Sequence, residues 1–210
     1  MSRENKKEAV AALHREQIMK AAEALFSEKG YEQTTIEDIS RVSEYSRRTI
    51  YAYYESKDDI LHHIIEKGLL SLKDEIEIAV RKNEDFWAQY RGICAAMTRY
   101  QKECPFSMES VNRAKPADLE VANASETVRH ILALGTEINE LLAGFIETGK
   151  ESGIVRQDVI PMMTVYILWS SITSFLTLMQ TKGQFMAKQF GTSENDLLEY
   201  GFKQIVNSIL

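Results

Sequence analysis

The sequence predicts an all-α fold. Apolar residues recur at three- and four-residue spacing along nearly the whole chain, only three prolines interrupt it, at positions 105, 116 and 161, and no alternating run competes as a strand. With 210 residues, 44% of them hydrophobic, the chain can bury one good core, or a small domain joined to a larger one. Neither an internal repeat nor a low-complexity tract is visible.

The first helix is expected from Leu13 to Lys29, with Ile18, Ala22, Leu25 and Phe26 on one face and Gly30 as its stop. The charged opening, Met1 to Glu8, lacks an apolar stretch and reads as a solvated arm rather than a secretory signal. Thr34 and Thr35 offer an N-cap, and Thr34 to Glu37 and Thr35 to Asp38 both have capping-box spacing, so a short helix should run from there to about Val42. Ser43, Glu44 and Tyr45 form a turn, and Ser46 caps a helix reaching about Tyr54. Ser56 to Asp59 is another capping box, opening a long helix to about Arg81. Further helices are expected at roughly 85–103, 107–115, 125–151, 161–182 and 193–210, separated by Cys104-Pro105, Lys115-Pro116, Ser152-Gly153 and Gly183.

The formal charge of -6 argues against coating of nucleic acid or anionic membrane by bulk electrostatics, so any DNA contact must come from a local patch. Cys94 and Cys104 are too few for a disulfide framework or a Cys-rich zinc site and read as reduced thiols of a cytoplasmic protein. Val159 to Thr181 carries no charge over 23 residues and could span a bilayer by length. Pro161, many hydroxyl side chains and the lack of a flanking Lys/Arg cluster favour a helix buried in protein, so no membrane partner is expected.

Residues 35 to 57 meet the demands of a helix-turn-helix. Ile36, Ile39 and Val42 give the first helix an inner face, and Ile50 with Tyr54 gives one to the second, leaving Arg47, Arg48, Thr49 and Tyr53 outside. Residues 46 to 57 have a net charge of +2 in a chain that is otherwise acidic. Arginine commonly binds guanine O6 and N7 with both arms, hydroxyls and lysine hold phosphate oxygens, and a helix start adds backbone N–H groups aimed at phosphate. Singly, these residues suit an ordinary charged surface helix; as an ordered string with caps and turn, they point to DNA.

That string reads Phe26-x-x-x-Gly30-Tyr31, Thr34-Thr35-Ile36-x-Asp38-Ile39, then Ser46-x-x-Thr49-Ile50-Tyr51-x-Tyr53-Tyr54-x-Ser56-Lys57-Asp58-Asp59-Ile60-Leu61. It resembles the N-terminal region of the tetracycline-repressor-like (TetR) family of bacterial transcriptional regulators. The resemblance implies a three-helix DNA-binding domain over residues 10–57, followed at 58–210 by a larger helical domain for effector binding and dimerisation. It also implies DNA contacts at Thr35, Ser46, Arg47, Arg48, Thr49, Tyr53 and Lys57, with the two arginines at base edges and the others at phosphates. The family usually has alanine, glycine and a small residue where this chain has Ser40, Glu44 and Arg48; Glu44 must then accept a turn that glycine takes easily.

A two-fold dimer would match a palindromic operator. Val165, Trp169, Ile172, Phe175 and Leu176, with Leu198, Phe202 and Ile205, spread around more of the last two helices than one core face needs and are the expected homodimer surface; a wholly intrachain core is the alternative. A pocket between helices should be mainly apolar, and its candidates are Trp87, Tyr90, Met97, Tyr100, Phe106, Phe145, Tyr166 and Trp169, although for any one of them plain core is the commoner role. His14, His62, His63 and His130 have no metal-ligand spacing with the cysteines, and neither a P-loop nor a nucleophile elbow occurs, so neither an enzyme nor a metal or other cofactor is expected. The function expected is a ligand-responsive repressor of neighbouring genes, released from DNA by a small, largely hydrophobic molecule. A helical interaction module that never meets DNA and a membrane-associated protein are the rivals.

Overall fold

A computed structural model describes residues 3–82, 85–113 and 124–210, and among them there is no strand. The helices are α1 (Arg3–Lys29), α2 (Ile36–Ser43), α3 (Arg47–Tyr51), α4 (Lys57–Lys82), α5 (Phe86–Glu103), α6 (Pro105–Arg113), α7 (Glu126–Glu151), α8 (Pro161–Phe190) and α9 (Glu194–Val206), the last followed by a 3-10 turn at Asn207–Ile209.

Local chemistry sets most of these ends. Thr35 and Asp38 close a capping box on α2, Ser193 and Asp196 one on α9, and the Ser46 hydroxyl accepts from the Thr49 N–H at the start of α3. At α4 the Ser56 hydroxyl accepts the Asp59 N–H at 3.0 Å, whereas the Asp59 carboxylate turns to the Glu55 N–H at 2.9 Å rather than to Ser56 itself. Asp85 caps α5 through the Ala88 N–H, Ser125 caps α7 through that of Val128, and Pro161 opens α8.

Three boundaries differ from expectation. Among the described residues α1 starts at Arg3, so the expected arm is helix from there on, although residues 5 to 10 are exposed; Met1 and Ser2 lie outside the described residues. Its Lys, Glu and Ala residues favour helix without presenting an apolar stripe, so periodicity alone does not find it. α3 is shorter than expected and ends at Tyr51, with a tight turn through Ala52 and Tyr53. α8 continues through Gly183 to Phe190 and stops at Gly191, whose φ of +64° suits glycine. At Gly183 a Cβ would come within 3.1 Å of Glu194 Oε2 and Met179 Cε, so that glycine permits close packing instead of ending the helix.

The contacts divide the chain into two compact units, Met1–Gly68 with Cys104–Leu132, and Leu69–Glu103 with Ala133–Leu210. The first break falls after Gly68 rather than at 57/58 because Ile60 and Ile64 of α4 complete the N-terminal core of Ile18, Ala22, Leu25, Phe26, Ile39, Ile50 and Tyr54. Full burial of each aliphatic side chain there stabilises the fold by roughly 1.5–3 kcal/mol. The core of the second unit gathers Tyr90, Ile93 and Met97 of α5, Leu134, Ile138, Phe145 and Ile146 of α7, and Val165, Ile172 and Leu176 of α8. Phe86 stacks on Phe145 with ring centres 4.6 Å apart.

Candidate nucleic-acid interface and effector cavity

Two short helices and the turn between them set the N-terminal surface. Ile39 and Ile50 are fully buried, which fixes the opposite face of α3 outward. Glu44 takes the left-handed conformation, φ +61°, that the turn requires. Ser40 Oγ donates to the Tyr45 carbonyl oxygen at 2.6 Å, and the Tyr45 hydroxyl donates to Gln17 of α1. The turn is thereby tied to α2 and to α1.

Asp38 gathers the hydroxyl and N–H of Thr35, the Lys29 ammonium and the Arg41 guanidinium. The hydrogen bond from Lys29, with those from Thr35, holds its carboxyl well below the usual carboxylate range. Burial raises the Tyr54 hydroxyl to about 12, and that hydroxyl donates to the Arg15 carbonyl oxygen. Burial, reinforced by its bond to Asp58, likewise raises that of Tyr31.

The expected DNA contacts fall into three sets. Arg47 and Arg48 are exposed; Arg47 reaches only the exposed Glu37 carboxylate at 4.0 Å, and Arg48 has no ion pair among the described residues. Such a long, solvated pair is weak and leaves the guanidinium available. Thr35, Ser46 and Thr49 sit at the helix starts, with their hydroxyls engaged in caps. Tyr53 and Lys57 are half-buried and tied to the fold. The Tyr53 hydroxyl bonds His14 Nδ1 at 3.0 Å, and Lys57 Nζ donates to the carbonyl oxygens of Tyr31 and Thr34, both at 2.9 Å, while lying 4.0 Å from the centre of the Tyr31 ring. Two of its three N–H groups are thus spent internally. Sequence reasoning missed Tyr51, which is 56% exposed and shares a face with Arg47 and Arg48 at i+4 and i+3; that spacing was the available signal.

In the second unit the expected pocket residues separate. Tyr90, Met97, Phe145 and Trp169 line a small apolar cavity of about 30 Å³, on the scale of a single water. Trp87 and Tyr90 line an open groove of about 720 Å³ between α5 and α9, with Arg91, Cys94, Glu199, Tyr200, Phe202 and Lys203. Burial raises the Cys94 thiol to about 12. Tyr100 is buried core. Two candidates are corrected: Phe106 belongs to the other unit, its ring centre 5.2 Å from that of Phe26 and 6.4 Å from that of Tyr31, and Tyr166 is 60% exposed on α8.

The residues of the expected dimer surface divide by burial. Val165, Ile172 and Leu176 are almost wholly buried within their own unit, half-buried Trp169 borders the small apolar cavity, and half-buried Phe175 packs edge-on to Phe202 at 5.9 Å. Leu198 and Ile205 of α9 are half-buried. The exposed large apolar residues of α8 are Met162, Met163, Tyr166, Ile167, Leu178, Phe185 and Phe190, and that of α9 is Tyr200. α8 is the one helix among the described residues long and apolar enough to cross a membrane by length and composition.

Residues 18–64 match the family model of bacterial regulatory proteins of the tetR family. The HTH-type transcriptional repressor KstR2 of Rhodococcus jostii is 25% identical over 158 residues, 69% of each chain. Among solved structures, the TetR family transcriptional regulator PfmR of Thermus thermophilus aligns with a TM-score of 0.70 at 21% identity, over 90% of this chain and 97% of its own. The transcriptional regulator FadR of Bacillus subtilis, solved with stearoyl-CoA, aligns with a TM-score of 0.69 at 18% identity, over 92% and 98%. The stretch that holds the capped helix-turn-helix thus matches the tetR-family model, and nine-tenths of the chain shares its fold with a solved TetR-family regulator.

Proposed function

We propose that the chain works as a cytoplasmic homodimer that occupies a palindromic operator, represses neighbouring genes, and is released by a small, largely hydrophobic molecule. Residues 10–57 would read the operator, and residues from 58 onward would bind the effector and pair the protomers. The observation that carries this reading is the outward face of α3, where Arg47, Arg48 and Tyr51 stand exposed at one helical spacing with no strong internal partner among the described residues. The guanidiniums suit guanine edges; Thr35, Ser46, Thr49, Tyr53 and the remaining N–H of Lys57 suit phosphates.

The apolar residues of α8, Met163, Ile167, Leu178 and Phe185, recur at steps that keep one face, which favours a second copy of the same helix packed across a two-fold axis. Trp87, Tyr90, Met97, Phe145 and Trp169 favour an apolar effector, and the long-chain acyl thioester held by the Bacillus relative makes stearoyl-CoA a first compound to try. An effector releases DNA only through different affinity for two arrangements of the dimer. Regulation needs no catalytic step, and none is assigned.

The test is binding to duplex DNA from upstream of the chain's own gene, across a range of salt. Salt-dependent binding weakened by Arg47→Ala and Arg48→Ala supports the regulator, and absent or salt-independent binding overturns it.

A further inference from the structure

The first turns of α1 lie outside the helix-turn-helix, yet they touch it. His14 Nδ1 bonds the Tyr53 hydroxyl, its ring packs at 4.9 Å from that of Tyr45, and Gln17 accepts from the Tyr45 hydroxyl. Arg15 sits between these two positions. Its guanidinium carbon is 5.5 Å from the centre of the Tyr53 ring, within cation–π range, and the side chain is exposed. Among the described residues Arg15 has no ion pair. Its neighbour Glu16 is committed to Lys20 and Lys67 at 3.2 and 3.4 Å and does not neutralise it.

We infer that Arg15 is a further DNA-backbone contact of this protein, a phosphate clamp supplied by α1 and oriented by its cation–π contact with Tyr53. This inference rests on the DNA-binding reading above. Tyr53 is a phosphate-contact candidate whose ring is fixed by His14, so a phosphate at its edge brings the next backbone oxygens toward the guanidinium that covers its face. A planar guanidinium over an aromatic ring keeps its edge donors free for such oxygens and has already given up part of its rotamer freedom. Further out on α1, Lys6 and Lys7 are exposed beside Glu8, but neither has a cation–π contact among the described residues, so the contact is assigned to Arg15.

The experiment compares wild type, Arg15→Ala, Arg15→Lys and Arg47→Ala on the same upstream duplex, measuring affinity against salt, with thermal melts of each variant. Arg15→Ala should bind about three- to tenfold more weakly at physiological salt and lower the salt slope by about one for each protomer engaged, with an unchanged melt. Arg15→Lys, which keeps the charge but not the planar guanidinium, should retain the slope and lose part of the affinity. If Arg47→Ala weakens binding while Arg15→Ala leaves slope and affinity at the wild-type values, the clamp is wrong and the regulator stands. If wild type shows no salt-dependent binding, both fall together.

Discussion

Ser40 Oγ donates to the carbonyl oxygen of Tyr45 across a turn whose middle residue, Glu44, has a φ of +61°. A side chain from α2 therefore holds a backbone that a Cβ-bearing residue adopts at a cost of about 1 kcal/mol. Glu44→Gly should raise the unfolding free energy by roughly 0.5–1 kcal/mol, and Ser40→Ala should lower it by about 1 kcal/mol. Urea midpoints of the two variants check both signs, and a destabilised Glu44→Gly would show that the turn is not strained.

Lys57 has a structural duty separable from any DNA contact. Removing its ammonium in Lys57→Met leaves the carbonyl oxygens of Tyr31 and Thr34 without this donor, so stability should fall by about 1–2 kcal/mol even without DNA. A melt as high as wild type would show that the two hydrogen bonds contribute nothing net.

Asp38 links folding to pH. Its pKa is depressed in the folded state by Lys29 and Thr35, so the unfolded chain binds the proton first as pH falls, and the stabilisation present above the ordinary aspartate value, about 4, is lost below it. Asp38→Asn should be less stable than wild type at pH 7, with a smaller further loss between about pH 5 and pH 2. Parallel acid limbs for the two proteins would remove Asp38 as a source of acid sensitivity.

The exposed and buried faces of α8 should answer mutation differently. Ile167→Asp, 60% exposed in the single chain, should shift sedimentation toward monomer while leaving far-ultraviolet helicity intact. Val165→Ala, 1% exposed, should instead cost about 1–3 kcal/mol of folding stability with no change of assembly in the folded protein. A dimer unmoved by Ile167→Asp would exclude that face as the protomer contact.

Much of the N-terminal site was legible because its signals are local. Thr35 with Asp38, Glu44, and Ser46 with Thr49 lie within four residues of the groups they cap or turn, and that is the range over which spacing is informative. The interior of the second unit was not legible in the same way. Val165 and Tyr166 are consecutive and both apolar, but about 100° of helical rotation sends one into the core and the other to solvent, and only the neighbouring helices decide which. Phe106 depends on a long-range partner, Phe26, that no spacing reveals. Gly183 looked like a stop because a glycine tolerated for closeness and one chosen for backbone freedom are the same letter.

The pairing around α1 and α2 shapes how a duplex is met. Lys29 and Arg41 share the single carboxylate of Asp38, and Lys20 and Lys67 that of Glu16, so each cluster beside the helix-turn-helix keeps a net positive charge. In a chain of charge -6, these clusters together with exposed Arg15, Arg47 and Arg48 put positive charge on the unit that carries the helix-turn-helix. On the proposed reading, a duplex would be drawn toward this unit, and encounters that present α3 would be favoured before any base is read.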